Sequence, residues 1–124
     1  MNVLLVDDEP TVLEVLALLL KLDGHTVTQA ASGEQGVEEF GRTRYDVVVT
    51  DQSMPGVDGH QLAASVKATA PDTPVVMISG YGWFDHEAGT LPASVDYILP
   101  KPATLEQFRA ALSYVAPTPQ LAAV

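Results

Sequence analysis

The stretch YDVVVTDQSMPGVDG, residues 45–59, decides the fold of this chain. Residues 46–50 form a short run rich in β-branched side chains, which is typical of a strand buried on both faces. Asp51 follows this run directly, and the proline and glycine after it are typical of a loop. Residues 59–69 then show apolar side chains at helical spacing, with Asp58 as a candidate N-cap. The stretch therefore predicts a strand, an acidic residue at its carboxyl end and a helix.

The same alternation runs along the whole chain. It predicts further strands at residues 3–6, 26–30, 75–79 and 95–99, and further helices at 11–22, 34–40 and 104–115. The helix boundaries follow from Ser32 and Thr104 as candidate caps, Pro10 at a first helical position, and Gly24 and Gly41 as stops. Gly82, Gly89, Thr90 and Pro92 all oppose a helix in residues 81–94, so we expect at most about two helical turns near 84–88.

Strands that alternate with helices predict an α/β fold with a parallel sheet covered by helices on both faces. A chain of 124 residues with 47% apolar side chains is long enough for one such domain. We place this domain at residues 1–116 and expect a flexible C-terminal tail at 117–124, where prolines prevent the last helix from continuing.

The composition argues against several classes of protein. The net charge of −10 and only six Lys and Arg residues predict neither direct nucleic-acid binding nor membrane binding. There is no cysteine, which excludes disulfides and thiolate chemistry and fits a cytoplasmic location. The longest apolar stretch, residues 12–22, is too short to span a bilayer and is interrupted by Glu14 and Lys21.

Five side chains that suit phosphoryl chemistry fall at the carboxyl ends of predicted strands. Each has an ordinary explanation alone, such as a helix N-terminal acidic pair, a turn residue or a surface lysine. In a parallel sheet, however, these ends meet at one edge, where open α/β sheets bind their ligands. The five residues are Asp7, Asp8, Asp51, Ser79 and Lys101.

The chemistry of this predicted edge follows from its charges. Three neighbouring carboxylates repel one another, and a divalent cation relieves the repulsion. Because the donors are oxygens, Mg²⁺ is favoured over zinc. Beside Mg²⁺, a carboxylate can attack phosphorus and form an acyl phosphate, while Lys101 supplies a positive charge and Ser79 a hydrogen bond.

Four motifs together resemble the receiver domain of two-component response regulators, over about residues 2–115. They are VDDEP at 6–10, DQSMPGVDG at 51–59, the strand-end Ser79, and KP at 101–102. The resemblance implies a three-layer flavodoxin-like (βα)5 fold with a five-stranded parallel sheet in the order 2-1-3-4-5. In this chain the helix between strands four and five is expected to be short or irregular.

The resemblance also implies roles for individual residues. Asp51 would accept a phosphoryl group from the phosphohistidine of a sensor histidine kinase or a histidine phosphotransfer protein. Asp8, Asp51 and the backbone carbonyl of Ser53 would bind Mg²⁺, and Asp7 would act mainly through a bound water. Ser79 would be a switch residue that moves to the phosphoryl group, Lys101 would pair with that group, and the Lys101–Pro102 peptide would be cis.

One position departs from the family pattern. The second switch residue is usually an aromatic three positions before the lysine, where this chain has Ile98. Tyr97 is one position earlier, and adjacent strand residues face opposite sides of a sheet, so Tyr97 is no simple substitute. We therefore expect signalling to depend on the ordering of residues 81–95.

The leading interpretation is a stand-alone receiver, a monomer or weak homodimer, that signals to a downstream protein by direct contact and catalyses only its own phosphorylation and dephosphorylation. A second is a receiver excised from a hybrid histidine kinase or larger regulator. A third is a small Mg²⁺-dependent phosphatase with an aspartyl-phosphate intermediate, but such enzymes carry Asp-x-Asp on the first strand, where this chain has Asp7-Asp8-Glu9. The scattered histidines at 25, 60 and 86 are assigned no role.

Overall fold

The computed structural model describes residues 1–80 and 91–116. The elements are β1 (Asn2–Val6), α1 (Pro10–Leu22), β2 (Thr26–Ala30), α2 (Gly33–Arg42), β3 (Val47–Asp51), α3 (Gly59–Thr69), β4 (Val75–Ser79), β5 (Tyr97–Pro100) and α4 (Leu105–Val115). The short helix predicted near 84–88 and the tail predicted at 117–124 lie outside the described residues. None of the helices in the described ranges is both long and apolar enough to cross a membrane.

All five strands form one parallel sheet in the order β2-β1-β3-β4-β5, as predicted. Val6 pairs with Thr50 and Thr50 with Met77, so the central strands end at nearly the same level. Ser79 pairs with Pro100, the residue before Lys101. The register therefore brings the carboxyl ends of four strands to one edge of the sheet.

Helices cover both faces of the sheet and divide the core into two layers. On one face, α1 and α4 pack their apolar sides, including Leu20 and Phe108, against alternate residues of the central strands. On the other face, Leu62 and Val66 of α3 pack against the intervening strand residues. All five residues of β3 are buried, which explains its continuous apolar run. Burial of each large apolar side chain contributes about 1.5–3 kcal/mol, so these two layers hold the site's strands in place.

The predicted helix caps are confirmed. The hydroxyl of Ser32 accepts a hydrogen bond from the backbone N–H of Gln35 at 3.0 Å. Capping boxes begin α3 at Asp58 and α4 at Thr104. Pro10 is the first residue of α1, but Glu9, its N-cap, makes no side-chain capping bond. Ahead of α1, the carboxylate of Asp7 accepts a hydrogen bond from the N–H of Glu9.

The prediction that Gly41 ends α2 is wrong. The helix continues to Arg42, and Thr43 is the C-cap, with its N–H donating to the carbonyl of Glu39. Arg42 also lies 3.2 Å from the carboxylate of Glu39. Glycine in a helix costs only about 1 kcal/mol, so these last-turn contacts are enough to carry the helix past it.

The predicted start of β5 at residue 95 is also wrong, because the strand begins at Tyr97. Asp96 lies in a turn, where its carboxylate accepts hydrogen bonds from Lys67 at 2.7 Å and from the N–H of Val75 at 2.8 Å. Val95 is buried without being part of the strand. The apolar side chain of Val95 fits the pattern of a buried strand, but strand pairing begins only at Tyr97.

Candidate functional site

Three carboxylates meet at the carboxyl edge of the sheet. Asp7 and Asp8 follow β1, and Asp51 is the last residue of β3. One oxygen from each lies within 4.8 Å of the others. Asp7 and Asp51 are buried, at 1% and 6% exposure, whereas Asp8 is only partly buried. The first turn of α1 contains no acidic residue, so the acidic pair lies ahead of the helix and not in it.

Lys101 brings a positive charge to this cluster. Its Nζ lies 3.3 Å from Oδ2 of Asp51 and 3.5 Å from Oδ2 of Asp7. Burial alone would lower the pKa of Lys101, but the charges of Asp51 and Asp7 outweigh it and raise the pKa above its ordinary value. Its backbone N–H donates to the carbonyl of Ser79 at 3.0 Å, and the Lys101–Pro102 peptide is cis, as expected.

The electrostatic environment of Asp51 disfavours its ionised form. Burial and the neighbouring charge of Asp7 raise the pKa of Asp51, and the attraction of Lys101 offsets this only in part. One ammonium group is thus too little positive charge for three carboxylates. An additional cation would relieve this imbalance.

Two buried polar atoms in the described part of the chain make no hydrogen bond, and both are at this edge. They are Oδ2 of Asp7 and the hydroxyl of Ser79, while Oδ1 of Asp7 accepts from the N–H of Glu9 at 2.9 Å. Buried polar atoms that make no hydrogen bond are uncommon in folded proteins. Together with a donor set made only of oxygens, they fit Mg²⁺ and the oxygens of a phosphoryl group.

The loop between β3 and α3 brings two further polar side chains to the site. Nε2 of Gln52 lies 3.3 Å from Nε2 of His60, in the first turn of α3. Both line an open cavity of about 450 Å³ together with Ser53, Met54, Pro55 and Asp58. The spacing of residues 52 and 60 does not reveal the contact between them, so the sequence alone gives no reason to assign His60 a role. Its position just after the predicted loop was the only available signal.

The two candidate switch residues on β5 face opposite sides of the sheet. Ile98 packs against the core layer of α2 and α3, and Tyr97 against the layer of α1 and α4. The ring of Tyr97 lies 5.4 Å from that of Tyr114 on α4. Tyr97 therefore cannot take the place of an aromatic side chain at position 98.

The fold and this edge define a class of protein, and comparison with known families agrees. Residues 3–113 match the model of the response regulator receiver domain. The chain belongs to that family, whose members act in two-component signal transduction.

Relatives and solved structures support the assignment. The transcriptional regulatory protein TcrA of Mycobacterium tuberculosis H37Rv is 34% identical over 96% of this chain and 48% of its own length. A receiver domain protein from Clostridium thermocellum has a TM-score of 0.84 and 29% identity, with 92% of each chain covered. The receiver domain of sensor histidine kinase PA1611 from Pseudomonas aeruginosa PAO1, solved with magnesium in its active-site cleft, has a TM-score of 0.81 and 26% identity over 91% of this chain and 94% of its own. The chain thus spans about half the length of the curated relative.

Proposed function

We propose that this receiver domain accepts a phosphoryl group on Asp51 from the phosphohistidine of a sensor histidine kinase or histidine phosphotransfer protein. The observation that carries the proposal is the position of Lys101 Nζ, 3.3 Å from Asp51 at the edge of a three-carboxylate cluster. Asp8, Asp51 and the carbonyl of Ser53 would hold Mg²⁺, with Asp7 acting through a bound water. The same edge then supplies the acceptor, the metal ligands and the counter-charge.

The transfer would be a direct displacement at phosphorus. An oxygen of Asp51 forms a bond to phosphorus as the P–N bond of the phosphohistidine breaks, and the imidazole leaves with the electron pair and takes up a proton. When bound, Mg²⁺ would neutralise charge on the phosphoryl oxygens. Lys101 neutralises a further oxygen, and the unused hydroxyl of Ser79 can donate to another.

The signal would leave the site through Ser79 and the segment that follows it. Ser79 is the last residue of β4, directly ahead of the connection to β5. A donor bond from its hydroxyl to the phosphoryl group would pull on that connection. Ile98 has no polar atom to join this bond, so we propose that the surface read by a downstream protein changes mainly through the connection between β4 and β5.

The direct test is incubation with acetyl phosphate and Mg²⁺, followed by intact mass spectrometry. We expect wild type to gain one phosphoryl group, Asp51→Ala to gain none, and chelation with EDTA to prevent the gain. Asp72→Asn, a change in an exposed turn, serves as the matched control and should behave like wild type. Phosphorylation of Asp51→Ala to the wild-type extent would contradict the proposal.

A further inference from the structure

The loop after β3 has to place one main-chain carbonyl accurately if the proposed function holds. Ser53 is exposed, so its position is set by its two neighbours. Met54 is buried in the core layer beneath α3. The N–H of Gln52 donates to Ile78 at 3.0 Å, and its carbonyl accepts from Gly59 at 2.9 Å. The main chain on both sides of Ser53 is therefore anchored.

The side chain of Gln52 is anchored as well, by His60. The amide nitrogen of Gln52 faces Nε2 of His60 at 3.3 Å, and a ring nitrogen without a proton can accept a hydrogen bond from it. The ring itself is held by a rigid element, since a capping box at Asp58 fixes the start of α3. A Cβ at Gly59 would collide with the carbonyl of Asp51, which shows how closely α3 approaches the end of β3. His60 thus connects α3 to Gln52, the residue directly before Ser53.

We infer that His60 is a positioning residue for Mg²⁺ binding, acting through Gln52 on the carbonyl of Ser53. This inference rests on the proposed function. Mg²⁺ demands near-ideal octahedral geometry, so a small displacement of one ligand weakens binding. Without His60, the amide of Gln52 is free to turn into the open cavity of about 450 Å³ beside it. Groups that orient metal ligands are typically worth about 10- to 100-fold in affinity, and the remaining main-chain anchors reduce the expected loss here to about 3- to 10-fold.

The experiment is a Mg²⁺ titration of the full chain in the absence of a phosphodonor. NMR chemical shifts or isothermal calorimetry report the binding and give the Kd. We expect His60→Ala to raise the Kd for Mg²⁺ about 3- to 10-fold. His60→Gln offers an amide oxygen that can accept from Gln52, so its Kd should stay within about twofold of wild type. His25→Ala, which lies at the opposite end of the sheet ahead of β2, is the matched control and should leave the Kd unchanged.

A double-mutant cycle separates positioning from general damage. If the two side chains act as one unit, Gln52→Ala and Gln52→Ala/His60→Ala should bind Mg²⁺ as weakly as His60→Ala alone. Melting in EDTA reports the fold independently of the metal, and Gln52→Ala carries the same expectation if His60→Ala fails to fold. Wild-type affinity in His60→Ala, or fully multiplicative effects in the double variant, would overturn the inference. Absence of Asp51-dependent phosphorylation in wild type would instead overturn the proposed function.

Discussion

At the residue scale, Asp51 is placed where its charge costs stability. Burial and the charge of Asp7 raise its pKa above the ordinary 3.8, in spite of Lys101. The folded state therefore holds this proton more tightly than the unfolded state does. The contribution of Asp51 to stability is fully present below pH 3.8 and is lost as the pH rises through the raised pKa.

The raised pKa of Asp51 leads to a prediction for the stability of Asp51→Asn in EDTA. The amide of Asn carries no charge at any pH, so the variant does not lose stability as the pH rises. It should therefore be more stable than wild type at pH 7, by on the order of 1 kcal/mol. The difference should shrink as the pH falls towards 3.8. Urea unfolding between pH 4 and 7 measures it, with Asp72→Asn as a charge-matched control. A variant less stable than wild type at pH 7 would show that Lys101 outweighs the burial of Asp51.

At the element scale, the helices next to the site differ in how they begin. The starts of α3 and α4 are fixed by capping boxes at Asp58 and Thr104, whereas Glu9, the N-cap of α1, makes no side-chain capping bond. An N-cap side chain satisfies helix N–H groups that otherwise have no partner. Local side-chain capping thus stabilises the starts of α3 and α4, whereas α1 begins without a capping bond from its N-cap side chain.

The caps give a graded prediction for stability. Asp58→Ala and Thr104→Ala should each lower the free energy of unfolding by about 1 kcal/mol, since each removes a capping side chain. Glu9→Ala should change it much less, because no capping bond is lost. Equilibrium unfolding in urea provides the comparison. Equal losses at all three positions would mean that the bonds at Asp58 and Thr104 contribute little.

The same scale shows what the sequence could and could not predict. The buried strands and the capped helices follow from local patterns, because a strand buried on both faces is apolar throughout and a cap is a nearby polar residue. The start of β5 depends on Asp96 reaching Lys67 and Val75, which are distant in sequence. The contact between Gln52 and His60 likewise exists only after α3 has packed against β3. The acidic cluster was predictable because strand order brings strand ends together, but the two buried atoms there that make no hydrogen bond were not.

At the scale of the whole molecule, a net charge of −10 makes the folded chain repel itself. Added salt screens this repulsion, so NaCl should raise the melting temperature modestly. Under the proposed function, Mg²⁺ should raise it further at equal ionic strength, because it would also bind the carboxylate cluster of the folded state. The two effects can be separated, since only the second depends on the carboxylate cluster.

We therefore predict a Mg²⁺-specific stabilisation of about 1.4 kcal/mol at ten times its Kd, or roughly 5 °C in Tm. Asp8→Asn should lose most of this increment and keep the response to NaCl. Calorimetric melting at matched ionic strength measures both, with Asp72→Asn as the control. An identical response to the two salts in wild type would indicate screening alone.

The order in which the strands follow one another along the chain has a consequence during synthesis. The acidic cluster is complete once β3 has formed, but its ammonium group arrives only with Lys101, after β5. A ribosome-bound chain that stops short of this point carries Asp51 without its counter-charge and without the last strand of the sheet. Under the proposed function, we therefore expect an incomplete chain to accept a phosphoryl group poorly, because it lacks the ammonium group that would neutralise a phosphoryl oxygen.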